Sequence, residues 1–295
     1  MCVQSVVARS PLPPYPALQD SLADRLPLPP VPDTLRTALS RAGYIVLHFW
    51  DALDFADTLR THDRDFMEQT FVNYLSLFPV ADTVALRPAV AGLVGRACSA
   101  PETLSLLLEM AGKYLYEQDS PMYDEEHYLL FADAFLSAPM HGNGLQRLKM
   151  RREAVLKNRV GTRAADFAFE TLSGKRMRLS EFARGRRTLL IFYDPDCAHC
   201  MEVMAELSAS KALCAATERG GMAVVAVYAG SGSDTDRALW RREAVRLPSS
   251  WTVGYDNGTV YGRDLYVLRG MPALYLLDAT GNVVAKNASV KGITG

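Results

Sequence analysis

Hydrophobic positions along the chain change their rhythm near residue 160. Upstream they recur every three or four residues. Met67, Phe71, Tyr74, Leu75 and Phe78 form one stripe, which Pro79 halts. Tyr128, Leu129, Ala132, Phe135 and Leu136 form another. This is the spacing of helices that bury one face. Cap chemistry marks their ends. Asp33 is expected to open a helix that runs through Ser40 and stops at Gly43. Ser99-Ala100-Pro101-Glu102 reads as a capping box for a helix reaching about Tyr116. Asp124-Glu125-Glu126 puts acid where a helix dipole favours it. A last helix is expected from about Leu145 to Asn158.

Downstream, the apolar runs are continuous. Thr188–Tyr193, Met222–Tyr228 and Ala273–Asp278 read as strands, Met222–Tyr228 a buried one. Ala279-Thr280-Gly281-Asn282 is turn chemistry, and Val283–Lys286 returns as a hairpin partner. Met201–Glu218 is helix-like. The pattern therefore predicts an all-α helical domain over 33–158 and an α/β domain over 159–295, behind a Pro-rich leader at 1–32.

Composition narrows the class. A chain of 295 residues with 49% hydrophobic content and net charge −1 suits a soluble globular protein with a sizeable core. No apolar run approaches the roughly 20 residues of a membrane helix. The first ten residues lack the basic start and apolar stretch of a signal peptide, so the chain is read as cytosolic or already processed. Residues 1–150 carry 11 Lys and Arg against 18 Asp and Glu, while 151–295 carry 21 against 15. The basic residues are scattered rather than interleaved with aromatics, so nucleic acid is not an expected partner. Asp51, Asp54 and Asp57 share helical spacing, but they lack an EF-hand's pattern and glycine; solvated or capping roles are expected, and no metal. Phe49, Trp50 and Phe55 are expected in the core or in a domain contact.

The chemistry concentrates at Cys197-Ala198-His199-Cys200, between a strand and a helix. A helix N-terminus offers free amide donors and partial positive charge, both of which favour thiolate. Zinc would need two more ligands, yet Cys2, Cys98 and Cys214 are isolated and the other histidines lie far upstream. A structural staple is a poor reading too, because closing so small a ring releases little loop entropy. A redox dithiol remains.

From about Thr162 onward the chain resembles thioredoxin-like domains of the TlpA/ResA type. The residues that carry the likeness are Asp166–Lys175 with Leu179-Ser180-Glu181-Phe182, Phe192-Tyr193-Asp194-Pro195-Asp196-Cys197 through Cys200, and Arg269-Gly270-Met271-Pro272. The resemblance implies a central mixed sheet flanked by helices, a nucleophilic Cys197, a resolving Cys200 and a cis bond before Pro272. It also implies that the Met271 backbone pairs with substrate. His48–Thr58 and Lys113–Glu126 resemble a helical domain of unknown function found upstream of thioredoxin-like domains in bacterial envelope proteins.

The expected activity is thiol–disulfide exchange with envelope proteins, recharged by a redox partner, with the Cys197–Cys200 disulfide as the only redox group. The expected site comprises Cys197, Cys200, His199 and Pro272, with Met271 and Asp196 meeting the substrate. His199 is placed either to favour the Cys197 thiolate or to face solvent, and Asp196 is expected to oppose it. Three departures from the family stand out. Ile191 and Val203 occupy positions where related proteins carry an acid, and Asp196 stands where a tryptophan commonly precedes the first cysteine. Cys214 is expected to be buried. Cys2 is a candidate lipid anchor, with Pro11–Pro32 as its tether, in the periplasm or cell envelope. The competing readings are a non-enzymatic binding module with a vestigial dithiol and a peroxiredoxin-like peroxidase, although no Pro-x-x-x-Thr/Ser-x-x-Cys pattern is present. Lys291–Gly295 leaves little room for the closing helix such folds usually carry.

Overall fold

A computed structural model describes residues 25–139 and 143–294. The chain divides into two compact units after Leu148. In the first unit the helices are α1 (Ala38–His48), α2 (Thr58–Thr61), α3 (Arg64–Ser76), α4 (Thr83–Ala97), α5 (Pro101–Ala111) and α6 (Glu125–Ser137). Helix α7 (Asn143–Leu156) carries the chain into the second unit. Met67, Phe71, Tyr74, Leu75 and Phe78 are all buried, as their spacing predicts. They form an aromatic core with Phe49, Trp50 and Phe131.

Three cap expectations do not hold. Thr37, not Asp33, opens α1, its hydroxyl accepting the Ser40 N–H at 3.1 Å. Helix α1 then runs straight through Gly43, which is buried where Asp82 and Ala85 approach; an added Cβ there would lie 3.5 Å from each. That is ordinary contact distance, so Gly43 sits as a buried mid-helix residue and ends nothing. Ser99 likewise caps nothing: its hydroxyl donates to the Arg96 carbonyl, and α5 starts at Pro101 without a side-chain cap. Helix α5 continues as a π-helical turn over Gly112–Tyr116.

The second unit is built on β1 (Ala168–Thr171), β2 (Arg176–Arg178), α8 (Leu179–Phe182), β3 (Arg187–Tyr193), α9 (Ala198–Ala209), α10 (Lys211–Glu218), β4 (Met222–Tyr228), α11 (Asp234–Ala244), β5 (Thr252–Tyr255), α12 (Thr259–Gly262), β6 (Ala273–Leu277), β7 (Val283–Lys286) and α13 (Val290–Thr294). The sheet order is β2-β1-β5-β4-β3-β6-β7. Strands β3, β4 and β5 run parallel, and the outer pairings are antiparallel. Alternation along β3 splits the core in two. Leu189, Ile191 and Tyr193 face α9 and its Met204 and Leu207. Leu190 and Phe192 face Phe167, Phe182 and Tyr275. Each fully buried Leu or Phe of this kind contributes about 1.5–3 kcal/mol.

The helix-like run 201–218 is two helices, because Ser210 is extended and its side chain accepts the Leu213 N–H to start α10. The closing segment does form a short helix, α13, packed on α9 and α10. The division by compactness falls inside α7, and at the end of that helix Lys286 Nζ donates to the carbonyls of Ala154, Val155 and Lys157, so an edge-strand cation caps it.

Candidate functional site

The dithiol sits where β3 ends, with β4 on one side and β6 on the other. That is the position at which open sheets place their ligands. The turn leading into it is written in the sequence. Asp194 supplies a carbonyl that accepts the Cys197 N–H at 3.1 Å and a carboxylate oxygen that accepts the Asp196 N–H at 3.0 Å. Pro195 follows it with the φ a turn needs at that position.

Cys197 is the N-cap of α9, and its sulfur accepts the Cys200 N–H at 3.2 Å. A cysteine thus occupies the place Ser or Asp usually fills, and the helix amides favour its ionised form. It is half-buried, while Cys200 is fully buried in the cluster of Ile191, Tyr193, Met204 and Leu207. Burial pushes the Cys200 thiol up to about 12, and the neighbouring Cys197 adds to this; the Asp194 backbone amide opposes it.

Strand register brings in the second half of the site. Phe192 pairs with Ala273, so Met271-Pro272 arrives beside the turn that holds Cys197. The Met271-Pro272 bond is cis, and the Met271 carbonyl oxygen lies 4.0 Å from Cys197 Sγ. Four sequence-singled residues therefore meet: Cys197, Cys200, Met271 and Pro272. His199 stands exposed, with Nδ1 3.8 Å from Glu202 one turn on. Asp196 is also exposed, and Arg242, held by Glu243 at 2.8 Å, feels its charge.

Two tyrosines also feel the charge of Asp194, and neither was among the expected site residues. Tyr228, at the end of β4, has its hydroxyl pushed up to about 12 by burial, then by the carboxylates of Asp236 and Asp194. Tyr261 on α12 also feels Asp194. The Asp-Pro pair before Cys197 was the available signal for Asp194.

Elsewhere, the three aspartates considered for metal each have another task. Asp51 bonds Arg96 and lies 2.7 Å from His48 Nδ1; Asp54 accepts the Ala56 N–H; Asp57 caps α2. Cys214 is exposed, not buried, because it falls on the outer side of α10, its thiol donating to the Ser208 carbonyl at 3.3 Å. Cys2 and most of its Pro-rich tether lie outside the described residues. No helix among the described residues is long and apolar enough to cross a membrane.

Comparison with known proteins places these features in context. Residues 8–158 match the family described as domain of unknown function DUF5106, and residues 160–286 match the AhpC/TSA family. The chain is similar to the solved structure of a thioredoxin-like protein from Bacteroides caccae, at 28% identity over 91% of this chain and 96% of that one, with TM-score 0.82. It is also similar to a conserved protein of unknown function from Bacteroides fragilis, at 33% identity over 45% of this chain and 95% of that one, TM-score 0.42. A third likeness is to the C-terminal domain of an uncharacterized protein from Bacteroides fragilis, at 32% identity over 47% of this chain and 96% of that one, TM-score 0.44. A comparison with curated proteins found no match.

Proposed function

Because the chain belongs to the DUF5106 family and its second half is a thioredoxin-like domain of the AhpC/TSA family, we propose that it exchanges disulfides with protein substrates of the cell envelope through Cys197 and Cys200. One observation carries this reading. A half-buried thiol caps α9 beside the Met271 carbonyl, and a buried, protonated thiol waits one turn behind it. That asymmetry suits a nucleophile and a resolver.

In the proposed cycle the Cys197 thiolate attacks one sulfur of a substrate disulfide. That bond breaks, one substrate thiolate leaves, and a mixed disulfide forms. Cys200 then loses its proton and attacks Cys197 Sγ. The Cys197–Cys200 disulfide forms, and the second substrate thiol is released. The substrate has gained two electrons, and a separate reduced partner must return two to the dithiol. The Met271 backbone next to Cys197 suits a substrate strand laid alongside it. Pro272 offers no N–H to compete for the sulfur. His199 and Asp196 belong to the rim that a docked chain would cross. An acylated Cys2 would hold the domain at a membrane surface.

Insulin reduction by the purified chain tests the reading. Wild type should reduce insulin, Cys197→Ser should lose the activity, and Cys200→Ser should trap substrates as mixed disulfides. Full cellular function in Cys197→Ser would favour the binding-module reading instead. A peroxidase is the other competitor, since peroxiredoxins share this fold. Asp194 stands where their pattern has Thr or Ser. Peroxide consumption that outpaces disulfide exchange would reverse the ranking.

A further inference from the structure

We propose that Met271 is an oxidation site that governs the dithiol: a hydroperoxide converts its thioether to the sulfoxide, and the chain then stops reducing protein disulfides while Cys197 stays reactive toward small ones. This rests on the exchange reading above.

One residue carries two tasks here. The backbone carbonyl of Met271 lies 4.0 Å from Cys197 Sγ, placed to accept its S–H. The side chain of Met271 packs against both hydrophobic clusters, the one that holds Cys200, Ile191 and Met204 and the one that holds Phe192 and Tyr275. Those clusters lie on opposite faces of the sheet, since Ile191 and Phe192 are neighbours on β3. Met271 therefore joins the two faces just before β6, beside the turn that bears the dithiol. Arg269 and Gly270, which precede it, are exposed. The packed side chain is thus the anchor on that side of the carbonyl. An unbranched thioether suits so irregular a place.

The sulfur is also within reach of solvent oxidants. Met67, Met110, Met204 and Met222 are buried in the cores, whereas Met271 is half-buried. Oxidation replaces an apolar sulfur with a polar, chiral S=O. A sulfoxide oxygen without a donor is costly among apolar side chains, so the oxidised residue leaves the clusters and takes its backbone with it. The two consequences differ. A protein substrate loses the backbone it lies along. Cys197 loses only an acceptor that favours its protonated form, so its thiolate is not disfavoured.

In the modification step the thioether sulfur attacks one oxygen of hydrogen peroxide. An S–O bond forms and the O–O bond breaks. The sulfur gives up two electrons, and the other oxygen leaves as water with both protons. A reductase of methionine sulfoxide reverses this: two of its thiols supply two electrons and two protons, the oxygen leaves as water, and a disulfide forms on the reductase.

The test protects the thiols first. The full chain, with Cys197–Cys200 closed as a disulfide, is treated with hydrogen peroxide, freed of it, and reduced with dithiothreitol to restore the dithiol. Peptide mass spectrometry then reads sulfoxide at each methionine, with exposed Met150 as the reference. As Met271 sulfoxide nears completion, insulin reduction should fall about tenfold, the loss of one backbone hydrogen bond at the upper end of its usual worth. Reaction with dithiobis-nitrobenzoate should not fall. Met271→Leu has no thioether there, so peroxide should leave that variant at its own starting rate. Met201 is half-buried on α9, and Met201→Leu should stay as sensitive as wild type. Methionine sulfoxide reductases for both epimers should restore insulin reduction. Full insulin reduction at complete Met271 sulfoxide overturns the assignment. So does a Met271 that stays a thioether when Met150 is fully oxidised, a Met271→Leu chain that loses the same share of its rate, or equal loss with both disulfides. An untreated wild-type chain that reduces neither disulfide overturns the exchange reading, and this assignment with it.

Discussion

Removing Cys197 separates two explanations for the quiet of Cys200. Burial is the largest cause of its raised pKa, and the hydrogen bond and charge of Cys197 come behind it. An ordinary thiol near 8.5 is a few per cent thiolate at neutral pH, whereas one near 12 is ionised in only about one part in 10⁵. The gap is roughly three orders of magnitude in reactive fraction, before any cost of reaching a sulfur with no exposed surface. In Cys197→Ser the sulfur's partner is gone but the packing of Met204, Leu207 and Tyr193 remains. Cys200 in that variant should therefore still alkylate at least about a hundredfold more slowly than in the urea-unfolded chain. The assay is iodoacetamide labelling read per cysteine by mass spectrometry, with exposed Cys214 as the internal standard. If Cys200 in Cys197→Ser labels as fast as Cys214, its high pKa belongs to its partner and not to burial, and the division into nucleophile and buried resolver fails.

Other outcomes follow from packing and charge. Gly254→Ala places a Cβ 2.5 Å from Phe169 Cδ2, on the partner strand that β5 needs. It should cost about 1–3 kcal/mol, seen as a lower urea midpoint for the second unit, and an unchanged midpoint refutes the clash. Asp82→Ala removes the carboxylate that accepts the Val84 N–H at 3.0 Å and should cost the first unit about 0.5–2 kcal/mol in thermal melts. Burial raises the Asp166 pKa, but the Ser180 N–H and the Arg178 guanidinium outweigh it and hold it below the usual carboxylate range. A depressed carboxylate pKa adds stability that is present above its unfolded value and lost as pH falls through its folded one. Acid titration of stability should therefore show a loss beginning near about pH 4, and Asp166→Asn should flatten that limb.

Much of this molecule is legible without coordinates. Strand β4 falls where its apolar run puts it, because a strand buried on both faces has no room for polar residues, and edge strand β7 falls where the turn residues before it return the chain. The helix α3 is equally plain, its stripe matching the period of its own backbone. Helices α4 and α11 are not, for opposite reasons. Pro88 and two glycines interrupt α4, which tertiary packing nevertheless holds. Helix α11 buries only Trp240 and Ala244, too few for a visible stripe. Gly43 shows the same limit: a glycine can end a helix or lie buried in the middle of one, and only the packing around α1 decides which.

At the site, local sequence determined which atoms could react: two thiols at a helix start, behind an Asp-Pro turn. It could not determine which thiol is buried, where the Met271 carbonyl lies, or that His199 faces solvent beside Glu202. Those properties depend on residues far apart in the chain, joined by the register of β3 with β6 and by the depth of α9 on the sheet. A residue's type sets the chemistry it can do, whereas the water and charge around it, which set its pKa, are supplied by segments that only folding brings together.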